Sequence, residues 1–505
     1  MTYQRVGIPM SVMASDKVTI IVDNIQGKMV ETLPFEHAVA ISQECSFKVQ
    51  GSEFMYRSKS KGKSKGKGNW DGFKRLYHSG RRTFPTGLLG RIVWLLHDRG
   101  IQADIEWCLP NVACGCPIPL MPHVESRSYQ IEAEEAAIKA GRCIIRVATG
   151  GGKTVIAARI IAKLGMSTMF MVHTKDLLYQ AKDMLGDFLG QEIGQIGDGV
   201  VAPARITVAT IQTVSRILNQ KYEHYEYEDI LYEDNTDITG REQVLRDLIE
   251  NTGVLFMDEC HRVASKTATE VMSAIKNARY RFGLSASPWR DDGADLALEA
   301  IFGHVAYEVS ASNLIDRGYL VRPVIRMIEI SAIKTKKGDK WQEVYKRAIV
   351  ENEYRNNIVV VEAIKLLKSN RSVLILVKYI GHGDILYRML RDSDIHCVFL
   401  SGGDSSLVRN NVINQLRNKS LQVVIATTIA DEGLDIKSLD AVILAGGGKS
   451  SVKALQRVGR ALRPFDGKDL AYIIDFEDRS KYVSDHSMAR YRIYQTETEF
   501  IIMDI

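Results

Sequence analysis

No run in this sequence is both long and apolar enough to cross a bilayer, and its N-terminus lacks the apolar segment of a secretory signal. The two absences predict a protein that stays in the cytosol and exclude a membrane-spanning class. Cysteine is scarce: there are seven in 505 residues, an odd number scattered along the chain. That usage excludes a disulfide framework and suits a reducing compartment. Cys108, Cys114 and Cys116 lie near His123, but their spacing is no standard zinc pattern and reads as a loop with incidental thiols. Excess charge is also small. A net charge of +5 permits a nucleic-acid partner without requiring one. The length predicts three domains, with two as the alternative.

What the sequence does have is a dense run of glycine, Ala148-Thr149-Gly150-Gly151-Gly152-Lys153-Thr154, between an apolar stretch and a helix-like one. Glycines let backbone N–H groups turn inward onto phosphates, a lysine neutralises their outer charge, and the threonine hydroxyl is placed to ligate Mg²⁺. Val147 stands where the general pattern has its first glycine. Asp258-Glu259-Cys260-His261 closes a second apolar run. Asp258, at a strand end, can hold Mg²⁺ through its water shell, and Glu259 is the natural general base for an attacking water. An acidic loop after a strand would be unremarked alone; downstream of a phosphate loop it reads as the second half of a nucleotide site. The third element is Gln456-Arg-Val-Gly-Arg-Ala-Leu-Arg463. Arg460 and Arg463 are spaced to share a helix face, with Gln456 one turn earlier. Alone this is a basic solvated face; beside the other two motifs it suits a triphosphate whose charge shifts during transfer.

Residues 1–118 read as a small basic domain with short β-rich stretches such as Lys17–Val22. Within it, Lys59, Lys61, Lys63, Lys65 and Lys67 alternate with small residues in a segment that cannot bury anything. Two readings stay open: a solvated loop tip, or a polycation lying along phosphates without reading sequence. Trp70 is either a stacking residue or a packing anchor. From 119 to 308, and again from 309 to 505, short apolar strands alternate with helical patterns, as in parallel sheets covered on both faces. The first series has Arg142–Val147, Thr168–Val172, Arg205–Ala209, Gly253–Met257 and Tyr280–Leu284. Only the first lobe carries a phosphate loop, so the second is expected to complete a site at the interface. An acidic, tyrosine-rich stretch at 222–237 interrupts the first lobe and would repel DNA phosphates. The lysine-rich loop Lys334–Lys340 has the turn chemistry of a hairpin, a candidate strand-separating wedge beside the ordinary surface-loop reading.

In order along the chain, Arg127–Gln130, Ala148–Thr154, Asp258–His261, Ser285–Ser287, Ala426–Ile436 and Gln456–Pro464 resemble the motifs of the superfamily 2 helicases and translocases. Gly68–Gly72, Arg75-Leu76, Pro85–Gly90 and Val208–Val214 are similar to the bacteriophage UvsW-type branch-migrating enzymes. The resemblance implies an α/β fold of two RecA-like parallel-sheet lobes in tandem, preceded by a small α+β DNA-binding domain. It implies ATP and Mg²⁺ as the nucleotide and metal. Thr149, Gly150, Gly151, Gly152, Lys153 and Thr154 would hold the phosphates and metal, with Arg127 and Gln130 at the adenine and an aromatic beside them to stack on it. Gly433 and Asp435 would reach the nucleotide from the second lobe. Asp258 and Glu259 would hold metal and activate water. Arg460 and Arg463 would act across the lobes, with Gln456 sensing the γ-phosphate. Thr210 and Thr213 on one lobe, and Thr427 and Thr428 on the other, would grip a single-stranded DNA track. The implied partners are forks, Holliday junctions and R-loops, engaged by a monomer. An RNA helicase, a duplex translocase that does not unwind, and a DNA-binding protein with a silent ATPase are the competing functions.

Overall fold

The computed structural model describes residues 17–49, 71–110, 115–218, 238–262, 266–286, 295–336, 338–427, 438–448, 458–459, 461–465 and 467–504. Lys59, Lys61, Lys63, Lys65, Lys67, Trp70, the 222–237 stretch, Ser287, Thr428, Gly433, Asp435, Gln456 and Arg460 lie outside them.

Two parallel sheets dominate. In the first lobe the strand order is Val200–Ala202, Ile193–Gly197, Ile206–Thr210, Thr168–Val172, Val254–Met257, Tyr280–Ser285, Arg142–Val147 and Val305–Val309. All neighbours are parallel except the first pair, a hairpin. The second lobe runs Cys397–Leu400, Val423–Thr427, Val373–Val377, Ala441–Ile443, Leu470–Asp478, Arg322–Ile330 and Ile501–Asp504, parallel throughout. Thr168–Val172, Val254–Met257, Val373–Val377 and Val423–Thr427 are buried at every residue, which is why each reads as an unbroken apolar run rather than an alternation. The expected α/β class with two parallel-sheet lobes is the observed one. The strand expected at Arg205–Ala209 lies one residue later, because the Arg205 side chain donates to the carbonyls of Cys116 and Gly165 outside the sheet.

The N-terminal module has a four-stranded sheet ordered Thr83–Pro85, Gln26–Met29, Lys17–Val22 and Gln102–Trp107. Lys17–Val22 alternates exposed and buried residues, as a sheet with one covered face requires. Its core of Val18, Ile20, Leu88, Ile92 and Leu96 also takes in Leu296 and Ala300 of the first lobe. A Cβ on Gly87 would lie 2.0 Å from the Glu299 carbonyl oxygen, and Arg91 meets the Glu299 carboxylate at 2.6 Å. The module is therefore seated on the first lobe, not tethered beside it. Ile118 N–H already bonds the Ala162 carbonyl at 2.8 Å, so the chain is laid on the first lobe from that point.

Among the described residues, contacts between the lobes include the core that Leu314 and Leu320 share with residues of both sheets, the Arg127 guanidinium over the Tyr319 ring, and the pair of Arg409 with Asp176 at 2.5 Å. The loop at 334–340 contains no strand among its described residues. Asp339 accepts from Lys336 N–H at 2.9 Å and from the Arg347 guanidinium, which folds the loop back onto the following helix as a tied turn. Of the two readings of this loop, its described residues fit the ordinary surface loop. No helix among the described residues is long and apolar enough to cross a membrane.

Candidate active site

The phosphate loop leaves the end of Arg142–Val147 and enters the helix Lys153–Leu164. Gly150 and Gly152 have φ of +87° and +76°, a region that favours glycine. A Cβ on Gly151 would lie 2.5 Å from Val147 Cγ1, so the residue that replaces the first glycine also packs against the loop. In sheet order Tyr280–Ser285 separates this strand from Val254–Met257, whose end carries Asp258 and Glu259. Both motifs thus open on the same C-terminal edge, where α/β sheets bind ligands.

Lys153 Nζ lies 2.9 Å from Glu259 Oε1. Burial works against the lysine's charge, but Glu259 and Asp258 outweigh it and raise its pKa. Burial alone would raise the Glu259 carboxyl; Lys153 and His261 outweigh it and hold that group far below the ordinary carboxylate range. Asp258 goes the other way. Burial, then the charge of Glu259, pushes it up to about 6. Glu259 has φ +47°, an uncommon conformation for a residue with a side chain, and its N–H donates to Asp258 Oδ1 at 3.0 Å. His261 Nδ1 is 3.3 Å from Glu259 Oε2 and 3.2 Å from Ser285 Oγ. Ser285 ends the strand between the two motifs, so Glu259 is linked to it through one imidazole.

A cavity of about 540 Å³ is lined by Thr149, Gly150, Lys153, Thr154, Asp258 and Glu259 from the first lobe and by Arg463 from the second. A Cβ on Gly459 would fall 2.5 Å from Thr149 Cβ, so the second lobe rests directly on the phosphate loop. Arg463 does not continue the helix face expected for it; it lies in the turn past residue 461. The Lys468 ammonium donates to the Arg463 carbonyl at 3.0 Å and holds that turn. Thr154 and Asp258 offer hard oxygen donors beside the phosphate loop, a set that fits Mg²⁺, which keeps most of its water and takes one or two protein oxygens plus phosphates.

Three expectations need correction, those for the aromatic beside the loop, for Thr210 and for Thr427. The aromatic upstream of the loop, Tyr129, cannot stack on a base: it is fully buried, and its hydroxyl donates to the Gly151 carbonyl at 2.7 Å. Gln130 is 2% exposed. Its Oε1 accepts from Arg127 N–H at 2.9 Å and its Nε2 sits 3.4 Å from the Gly151 carbonyl, so it braces the loop, although it also lines the cavity. Arg127 lies over the Tyr319 ring at 4.6 Å and, like Gln130, lines the cavity. Thr210 is buried, and its Oγ1 bonds Thr213 Oγ1 at 2.9 Å; of that pair Thr213 is the half-exposed member. Thr427 is buried too, because both threonines are the last residues of strands covered on both faces. Sequence reasoning missed Leu177, Gln180, Ala181 and Met184, which line the cavity from the helix Lys175–Leu189. Their i, i+3, i+4, i+7 spacing was the available signal.

Tyr129→Phe should lower stability by about 1 kcal/mol and raise the KM for ATP several-fold, since the Gly151 carbonyl loses a buried donor. Thermal unfolding and steady-state ATPase kinetics would show it; an unchanged KM would remove Tyr129 from the loop's support.

A phosphate loop and an acidic loop on one parallel sheet, closed by an arginine from a second, define a two-lobed nucleoside-triphosphatase of the helicase type. Residues 123–290 match the family described as Type III restriction enzyme, res subunit, and 356–464 match the helicase conserved C-terminal domain. A helicase of Sulfolobus islandicus filamentous virus is 26% identical over 384 residues, 70% of this chain and 64% of that protein. The ATP-dependent DNA helicase UvsW of Enterobacteria phage T4 is 26% identical over 447 residues, 81% of this chain and 82% of the phage protein. Among solved structures, the Type ISP restriction-modification enzyme LlaBIII bound to DNA shares the fold, with a TM-score of 0.54 at 15% identity over 76% of this chain and 31% of that one. The two matched domains identify an ATP-dependent DNA helicase, and over 81% of its length the chain is similar to the UvsW protein of phage T4.

Proposed function

We propose that this protein is an ATP-driven DNA helicase that unwinds or branch-migrates forks and four-way junctions in phage replication, recombination and repair, working as a monomer. The observation that carries the reading is Arg463 in the same cavity as Lys153, Asp258 and Glu259. A triphosphate seated on the phosphate loop touches both lobes and draws them together; hydrolysis removes that bridge. Before nucleotide arrives, Lys153 is occupied by Glu259. Phosphates compete for the lysine, and as it turns to them Glu259 loses the charge that does most to hold its pKa down. Substrate binding thus makes the general base more basic. Bound Mg²⁺, held by Thr154 and Asp258, would neutralise phosphate charge.

That the phage relative is a DNA helicase supports DNA as the track, as does the basic N-terminal sequence. Replacing Lys59, Lys61, Lys63, Lys65 and Lys67 with glutamine should weaken DNA binding and flatten its salt dependence, by about 0.9 in log–log slope for each phosphate no longer neutralised. An unchanged slope would take that run off the DNA. The function itself is tested by strand displacement on forked DNA, a mobile four-way junction and an RNA duplex, each with ATP and Mg²⁺. The branched DNAs should be resolved and the RNA left paired; unwinding of RNA alone would overturn the reading.

A further inference from the structure

The seam between the N-terminal module and the first lobe encloses a second cavity, of about 490 Å³. It lies at the opposite edge of the first sheet from the phosphate loop, where Arg142 opens the strand Arg142–Val147 and Arg281 lies near the start of Tyr280–Ser285. The two arginines are register partners on neighbouring strands, and both line the cavity.

Arg281 is 1% exposed. It donates through Nη1 to the Met272 carbonyl at 2.9 Å and through Nη2 to the Ile275 carbonyl. Its Nε is buried without a hydrogen-bond partner. Arg142 donates to the Ile301 carbonyl at 2.5 Å and to the Asn24 carbonyl. All four acceptors are backbone carbonyls, which cap chain ends without neutralising charge. Burial lowers the pKa of both arginines, and for Arg281 the charge of Arg142 adds to the effect. Asp23 is the carboxylate whose charge favours both, but its Oδ1 already accepts from Ile25 and Gln26 N–H at 2.6 and 2.7 Å. Among the described residues that line the cavity none is acidic; Lys74 and His78 add further basic groups, and Arg75 is paired with Asp71. Two adjacent buried guanidiniums that share the charge of one carboxylate, Asp23, are expensive to maintain unless a further anion joins them. These carbonyls, at two helix ends and one strand turn, account for the Nη groups; they account for neither the unpartnered Nε nor the basic lining.

We propose that the seam cavity binds a phosphate group, held between Arg281 and Arg142 with Lys74 beside it, and that this anion fastens the N-terminal module to the first lobe. The phosphate is either a free one or a phosphate of the DNA backbone; in sequence, the lysine-rich run ends just before the strand Phe73–Arg75 that carries Lys74.

The test uses the full chain with its phosphate loop filled by saturating Mg-ADP. Calorimetry then follows binding of inorganic pyrophosphate in one arm and of single-stranded DNA without terminal phosphates in the other. Wild type is compared with Arg281→Met and with Lys74→Glu, an exposed position that leaves the fold undisturbed. Pyrophosphate affinity reduced tenfold or more by both substitutions supports a free-phosphate site. DNA affinity reduced by both, with pyrophosphate indifferent, supports a backbone-phosphate site. Affinities for both probes that ignore the two substitutions overturn the proposal. Should Arg281→Met fail to fold, Lys74→Glu decides by the same criteria. Because ADP occupies the nucleotide site throughout, the result does not depend on the motor reading.

Discussion

Glu259→Gln should lower ATP turnover about 10²- to 10⁴-fold while ATP binding holds or tightens. The two halves of that outcome have separate causes. Removing the carboxylate takes away the proposed acceptor of the attacking water's proton, an expected loss of about 3–5 kcal/mol in transition-state stabilisation. It also releases Lys153 from its 2.9 Å ion pair, so the lysine meets the phosphates without first giving up a partner. Steady-state kcat and direct nucleotide binding read the two effects independently. Loss of ATP affinity in parallel with turnover would mean that Glu259 holds nucleotide and that water is activated elsewhere.

Arg463→Ala should lower kcat by about 10³-fold or more, the scale on which arginines that stabilise transferring phosphoryl groups act. Arg463→Lys should rescue little of it, because an ammonium lacks the planar fork that spans two phosphate oxygens. Binding of DNA should persist, since the substitution lies at the nucleotide cavity. A second consequence separates a motor from a simple ATPase: the variant should lose nucleotide-dependent closure of the lobes, measured as the distance between labels placed on each. Closure that persists in Arg463→Ala would leave the Arg409–Asp176 pair and the shared core around Leu314 and Leu320 as the groups that hold the lobes together.

The parts of this architecture legible in the sequence were those whose physics is local. Parallel strands buried on both faces must be apolar throughout, and Thr168–Val172 and Val373–Val377 read that way. A phosphate loop needs positive-φ glycines before a helix, and Gly150 and Gly152 supply them. The threonines were harder for the same reason the strands were easy. A strand with no alternation does not mark which residue is the last covered one, so Thr210 and Thr427 looked like loop residues and are core. The amide of Gln130 can face a base or the loop's own carbonyl, and composition does not choose; the Arg127 N–H and Gly151 carbonyl do. The seating of the N-terminal module rests on pairs such as Arg91 with Glu299, more than two hundred residues apart, a separation at which a single sequence carries no pairing signal.

The central claim is that hydrolysis at a site shared by two lobes is coupled to DNA. The most direct test is the ATPase rate with single-stranded DNA, duplex, forked DNA, a four-way junction and RNA as competing activators. Strong stimulation by DNA is expected, greatest with the branched forms and lost in Arg463→Ala. Stimulation by RNA alone, or a rate indifferent to every nucleic acid, would contradict that claim.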